Sequence, residues 1–579
     1  MNAILGKDGF TKPNKHQAMK NSLIIVLLLC LGTAGYANPD GKTKINIILK
    51  TQSNATELMR EASVFPNKAA RHDFVVNTLK RQAEESQYHL LSFLNEMEAK
   101  GMVEEIRPLW IVNSLSCLAD ETVLQEIEHR SDILMVYTCE PLSLMDDNEA
   151  IPAERGDGRE IAENLLKVNA DQVWELGYTG EGVLIGHIDT GVNLSHADLQ
   201  GRFWDGGTEY PNHGYDFYSH DNDPSDTHGH GTHVAGTIVG TGASGTQTGV
   251  APDAKIMVLK VFHGEDNLTE PTMWAEAMQF AVEHGADILN MSLGQPLPDA
   301  GVKLMMRQAC DNTLAAGVVA AVCAGNSRQI QMLAPVPYNI WSPGDCPPPH
   351  LHEDQLVNPG GTSCVICVGA VDFNDAIGSF SSEGPSVWTD VSQYHDYPYS
   401  SGSSTNIGLI RPDVSAPGVN IKSLDFNTTN GYCLKSGTSM ATPCVAGTIA
   451  LMLSKNPELT PEQIDEILER TAVSLSTHKS NDFGSGRIDA LAAINAIEFE
   501  TVSETTSQQA LVYPNPSNGN FTIQCDGMKQ IEVFSMDGRL LKSINPESPV
   551  QQLDGLMNGT FLVKITTNNE VIVRKIVKL

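Results

Sequence analysis

Apolar positions along the chain follow three successive regimes. Between residues 45 and 142 the periods are mixed. Residues 45–49 alternate like a strand, while Val76, Leu79, Tyr88, Leu91 and Leu94, within residues 73–98, keep near-helical spacing. Residues 106–112 read as a strand, 121–129 as a helix and 133–137 as a strand. This β-α-β-α-β order predicts a small α+β module. From about 165 to 498 short, continuously apolar runs alternate with helical ones. The runs at 183–188, 255–261, 288–293, 317–324 and 364–371 predict strands, and 232–239, 272–284, 302–316 and 438–454 predict helices. Such alternation predicts an α/β fold, a parallel sheet with helices on both faces. Residues 511–579 return to period two, at 521–524, 530–534, 561–565 and 571–577, and predict a small all-β module.

Polar stretches separate these regimes. Residues 142–158 (with Asp146-Asp147-Asn148-Glu149, Pro152, Gly156 and Gly158) read as an exposed linker open to proteolysis, and 500–508 as a second linker. Ahead of them Lys12, Lys15 and Lys20 precede an apolar run at 22–31 and then small residues to Ala37. That pattern predicts a signal peptide over residues 1–37. The run is too short to span a bilayer, and no later stretch is apolar enough to do so.

Charge sharpens the division. The 579 residues carry 38 Lys plus Arg against 70 Asp plus Glu, a net charge of −32. Residues 1–37 sum to +3, 38–150 to −8, 151–507 to −28 and 508–579 to +1. The acidity therefore belongs to the central unit, and it disfavours nucleic acid and anionic membranes as partners. With 41% apolar and only 19% charged residues the composition is that of a globular protein. Seven of the eleven cysteines lie in the central unit, several in apolar runs, and are expected as small buried hydrophobes.

Three segments of the central unit carry chemistry. A buried strand ends at Asp189-Thr190-Gly191, where open α/β sheets place their sites. His230-Gly231-Thr232-His233 opens a helix of small residues. In Gly437-Thr438-Ser439-Met440-Ala441-Thr442-Pro443 the serine stands at a helix mouth, where backbone N–H groups favour an oxyanion. A serine hydroxyl needs an imidazole base, and the imidazole needs a carboxylate to fix its tautomer. Singly, each segment reads as a turn or a cap; His228, His230 and His233 could also be weighed as a metal cluster, but no zinc-protease spacing accompanies them.

In the order Asp189, His230, Ser439, these segments resemble the subtilisin-like serine proteases, over about residues 165–498. Gly249-Val250-Ala251-Pro252, Ser292-Leu293-Gly294 and Ala324-Gly325-Asn326 add to the likeness. The resemblance implies a three-layer subtilisin-like domain over 160–500 and a serine endopeptidase acting on proteins or peptides. It also implies substrate pairing with Ser292, Leu293 and Gly294, and an oxyanion hole formed by the Asn326 amide and the Ser439 N–H. No cofactor is needed for the chemistry. Structural calcium is a further implication: Asp198 resembles a family ligand, and Asp221, Asp223 and Asp226 form a dense oxygen cluster. The loop 240–249 lacks carboxylates, however, and solvated acidic loops are the equal alternative. The wall segment 329–361, which carries Pro335, Pro337, Pro343, Pro347, Pro348 and Pro349, departs from the family and leaves side-chain preference unread.

The flanking modules follow from the same likeness. Residues 38–150 resemble an inhibitory prosegment, with processing in the linker after it; a transport or binding domain is the alternative. Residues 508–579, with Tyr513-Pro514-Asn515-Pro516 and a basic final strand, resemble the type A sorting domain of the type IX secretion system. A carbohydrate-binding or adhesive β-sandwich is the alternative there. Sorting implies that secretion machinery as partner and places the protein outside a Gram-negative cell or on its surface. An inactive protein-binding scaffold and an esterase are the rival functions, the latter without a Gly-x-Ser-x-Gly elbow.

Overall fold

The computed structural model describes residues 41–144, 150–156, 158, 160–263, 267–349, 363–388, 391 and 408–497, and in the tail 510–517, 519–525, 527–535, 539–546, 548–567 and 571–579. The predicted signal peptide, the second linker and the acidic run 146–149 lie outside the described residues.

The N-terminal module contains β1 (Thr43–Leu49), α1 (Lys68–Ala99), β2 (Val103–Leu109), β3 (Ser114–Ala119), α2 (Glu121–Glu128) and β4 (Ile133–Thr138). The order in its antiparallel sheet is β2-β3-β1-β4. The long helix begins where Asn67 accepts from the Ala70 N–H, an N-cap the apolar period alone does not place. β3 departs from the sequence expectation, which carried one strand through 106–112. The strand ends at Leu109, residues 110–113 turn, and a new strand follows. Its buried Ser114 and Ser116 disguise it as loop.

The central unit is built on seven parallel strands: β5 (Leu184–Asp189), β6 (Gly214–Asp216), β7 (Lys255–Lys260), β8 (Ile288–Met291), β9 (Val319–Cys323), β10 (Val365–Val371) and β11 (Val414–Pro417). Their order is β11-β10-β9-β8-β5-β7-β6. Alternate residues feed two separate cores. Ile256, Val258, Val319 and Ala321 pack on one face with helices α3 (His230–Val239) and α6 (Thr438–Lys455). Met257, Leu259, Ala320 and Val322 pack on the other with α4 (Pro271–Glu283) and α5 (Ala300–Ala315). Burial on both faces is why these strands read as continuous apolar runs.

The N-terminal module sits on α4 and α5. Gln279 Oε1 accepts from the Trp110 and Ile111 N–H groups at 2.7 and 3.2 Å, and Asn312 donates to the Ile111 carbonyl at 2.6 Å. Lys68 and Lys80 pair with Asp287 and Glu283 at 2.7 and 2.6 Å. The C-terminal module is all-β, with a four-stranded and a three-stranded antiparallel sheet. Among the described residues no helix is long and apolar enough to cross a membrane. All ten described cysteines are buried thiols outside any disulfide.

Candidate active site

Asp189 is the last residue of β5, at the carboxyl edge of the sheet, and is buried. Its Oδ1 accepts from His230 Nδ1 at 2.7 Å and from the Thr190 N–H at 2.8 Å. Burial opposes its ionisation, but the facing imidazole and these hydrogen bonds prevail and hold the carboxyl below its ordinary value. A carboxylate accepting at Nδ1 fixes the tautomer that presents Nε2 as a base.

His230 is the first residue of α3. Gly231 must be glycine, because a Cβ there would lie 2.1 Å from the Gly191 carbonyl oxygen. Three further side chains pin this junction. His187, two residues before Asp189, bonds the Gly231 carbonyl through Nε2 at 3.0 Å, and burial lowers its pKa. Thr190 Oγ1 accepts from the Gly231 N–H at 2.8 Å and donates to Asp226 at 2.9 Å. Asp226 also accepts from the His228, Gly229 and Thr232 N–H groups at 2.9, 2.9 and 3.0 Å and from the Thr232 hydroxyl at 2.6 Å. It caps the helix that carries His230 and ties it to the Asp189 turn. Sequence reasoning grouped Asp226 with the acidic loop and missed that role. Its place four residues ahead of His230, at a helix start, was the available signal. His233, weighed with the metal cluster, is buried on the Ile421 carbonyl at 3.0 Å, and burial drives its pKa down to about 3.

Ser439 lies in the first turn of α6. Its hydroxyl donates to the Ser292 carbonyl at 3.2 Å, and Ser292 Oγ donates to the Ser439 carbonyl at 3.0 Å. Asn326 Oδ1 accepts from the Thr438 N–H and hydroxyl at 3.1 and 3.0 Å, so its amide NH2 turns the other way. A point one bond out from the Gly437 Cα is 3.6 Å from the Ser439 nitrogen and 3.7 Å from Asn326 Nδ2. The Ser439 nitrogen and the Asn326 amide nitrogen therefore lie on the same side of the Gly437 Cα. The structure brings Asp189 to His230, and Ser292 and Asn326 to the Ser439 turn. Leu293 and Gly294 continue β8 beside them.

The expected calcium ligands are not brought together. Asp198 is buried, with Oδ1 accepting from the Ser244 N–H at 2.6 Å and Oδ2 from the Tyr432 hydroxyl at 2.7 Å. An N–H and an O–H donor thus each take one position on this carboxylate, beside a loop 240–249 without carboxylates. Asp221 and Asp223 accept from the N–H groups of Asp223 and Ser225 in local turns, at 2.9 and 3.2 Å. Asp226 is the cap described above. Among the described residues no group of three or more His, Cys, Asp or Glu side chains could hold a metal ion. Asp198, Asp221, Asp223 and Asp226 thus each accept hydrogen bonds from the fold's own donors.

Two short pairings flank the site. Leu142–Ser143, just past the N-terminal module, pairs antiparallel with Leu268–Thr269, and Ile151–Ala153 pairs antiparallel with Gly431–Lys435, the strand leading into the Ser439 turn.

Comparison with known proteins agrees with this geometry. Residues 180–486 match the subtilase family, and residues 511–579 match the secretion system C-terminal sorting domain. The chain is 33% identical to subtilisin DY of Bacillus licheniformis over 326 residues, 56% of this chain and 96% of that protein. It is 30% identical to subtilisin E of Bacillus subtilis (strain 168) over 383 residues, 66% of this chain and 81% of that protein. It is 28% identical to bacillopeptidase F of the same strain over 493 residues, 80% of this chain but only 31% of that longer protein. The sorting domain implies export through the type IX secretion system. The chain belongs to the subtilase family of serine-type endopeptidases.

Proposed function

We propose that this protein is a secreted endopeptidase that cuts protein substrates through Asp189, His230 and Ser439. The observation that carries the reading is the 2.7 Å His230–Asp189 bond at the sheet edge that also holds the Ser439 turn. Ser439 Oγ gives its proton to His230 and attacks the scissile carbonyl. The Ser439 N–H and the Asn326 amide receive the oxyanion, and His230⁺, held by Asp189, protonates the leaving amine. Water then repeats the sequence on the acyl-enzyme. Extended substrate pairs with Ser292-Leu293-Gly294. No cofactor enters this chemistry.

Residues 38–150 act in this reading as the inhibitory prosegment of a peptidase spanning 160–500. The two flanking pairings support processing of the connection between Ser143 and Ile151. Residues 1–37 serve as signal peptide and 508–579 as sorting module, which places the enzyme outside a Gram-negative cell or on its surface. A fluorophosphonate probe tests the core of the proposal. Labelling of the processed enzyme and none of Ser439→Ala is expected. Absence of labelling after prosegment removal would instead establish a binding scaffold.

A further inference from the structure

The substrate side chain next to the scissile carbonyl has a defined destination. Resting on the proposed acyl-enzyme, the carbonyl carbon sits on Ser439 Oγ with its oxygen between the Ser439 N–H and Asn326. In that proposed pose the adjoining side chain is assigned to the space between the two chain runs that touch the Ser439 turn. One run is Ser292–Gly294, bonded reciprocally to Ser439. The other is Ala324–Asn326, where Gly325 N–H donates to Thr438 Oγ1 at 3.2 Å. They continue the neighbouring strands β8 and β9 past their ends, and both present glycine to the gap.

That gap is occupied. A Cβ on Gly325 would meet the Trp341 indole carbons at 2.4–2.5 Å, and one on Gly294 would meet Trp341 Cβ at 2.9 Å. Gly325 has φ +100°, a second reason why no side chain stands there. The indole is 3% exposed, so it fills the slot rather than lining its rim. Trp341 is held by two bonds of its own and by the pairing of the residue after it. Trp341 N–H donates to the Ala324 carbonyl at 3.0 Å and Nε1 to Ser327 Oγ at 2.7 Å, while Ser342 and Gln295 exchange both backbone hydrogen bonds, at 2.9 and 3.0 Å. The ring is thus fixed against Gly325 through contact and against Ser327 through its Nε1 bond.

We infer that Trp341 plugs the primary specificity slot and restricts the acyl-donating residue of the substrate to small side chains such as Gly, Ala or Ser. A phenylalanine there would need the volume the indole already holds.

The test compares tetrapeptide p-nitroanilides that differ only in a terminal Ala, Leu or Phe, using the processed enzyme made from the full chain. Wild type is expected to favour Ala over Phe at least tenfold in kcat/KM. Trp341→Ala should reverse the order, and Trp341→Val, which leaves a smaller void, should admit Leu first. A wild-type preference for Phe, or a preference unchanged in either active variant, overturns the inference. The catalytic reading fails separately, by absence of fluorophosphonate labelling at Ser439. If neither variant folds, the wild-type Ala/Phe ratio alone decides.

Discussion

Ser292 supplies the hydrogen bond that Pro443 withholds from Ser439. Position 443 lies inside α6, four residues past Ser439, where its missing N–H would otherwise bond the Ser439 carbonyl. Ser292 Oγ donates to that carbonyl instead, at 3.0 Å. The substrate-side run and the nucleophile are thereby joined by a bond that a regular helix would have kept internal. Ser292→Ala should leave the carbonyl buried and unpaired, a loss of about 1–3 kcal/mol in stability. Adding Pro443→Ala restores an N–H donor and should recover part of it. Thermal or denaturant unfolding of inactive Ser439→Ala versions of the two variants and their parent measures both. If the double variant is no more stable than Ser292→Ala alone, the exchange of donors is wrong.

Thr438 holds Asn326 Oδ1, which leaves the amide NH2 for the oxyanion role proposed above. Asn326→Leu is expected to lower kcat by about 10²–10³, the cost of one oxyanion donor. KM should change little, because the interaction grows only as charge develops in the transition state. Steady-state kinetics on a soluble peptide substrate separate the two constants; a rise in KM at constant kcat would place Asn326 in ground-state binding.

The Asp198 geometry makes a different prediction about metals. Tyr432→Phe removes one of the two donors to a buried carboxylate and should cost about 1.5–3 kcal/mol. Excess chelator should shift the melting midpoint of wild type by less than this substitution does. A large chelator-induced drop that disappears in Asp198→Asn would return a cation to that site.

Much of this was legible in the sequence because the central strands are buried on both faces and the three candidate segments sit at element ends. Asp189 closes β5, and His230 and Ser439 open their helices; a position at an element boundary follows from the apolar period itself. The misses share a physical cause. β3 hid because Ser114 and Ser116 are polar yet buried. The roles of Asp198, named from a family likeness, and Asp226, named from a dense oxygen cluster, rest on donors the pattern does not reveal: Ser244, Tyr432 and Thr190 from distant chain, and Thr232 from the next helix. Trp341 lies in a proline-rich stretch with no period, and only the fold brings it between Gly294 and Gly325.

Release of the N-terminal module should depend on pH through Glu276. This side chain of α4 faces Arg107 of that module at 3.7 Å, with Lys44, Glu105, His220 and Glu270 around the same 680 Å³ cavity. Burial raises the Glu276 carboxyl to about 7, against the attraction of Arg107 and Lys44. Burial, with Arg107, pushes His220 down to about 4. Once the module leaves, Glu276 regains solvent and its pKa falls toward 4.5. Between these values the complex holds a proton that the free enzyme has lost, so this group weakens binding as pH rises toward 7. His220 acts oppositely between about 4 and 6.5, while Glu270, also raised by burial, acts in the same sense as Glu276, so from about 6.5 to 7 the decline belongs to the buried carboxyls. Inhibition of the processed enzyme by added residues 38–150 should therefore weaken from pH 6.5 to 7.5. In Glu276→Gln that decline should shrink, and the strengthening from pH 4 to 6.5 that His220 contributes should become more prominent. An unchanged decline in Glu276→Gln would assign the pH dependence to another group at this interface.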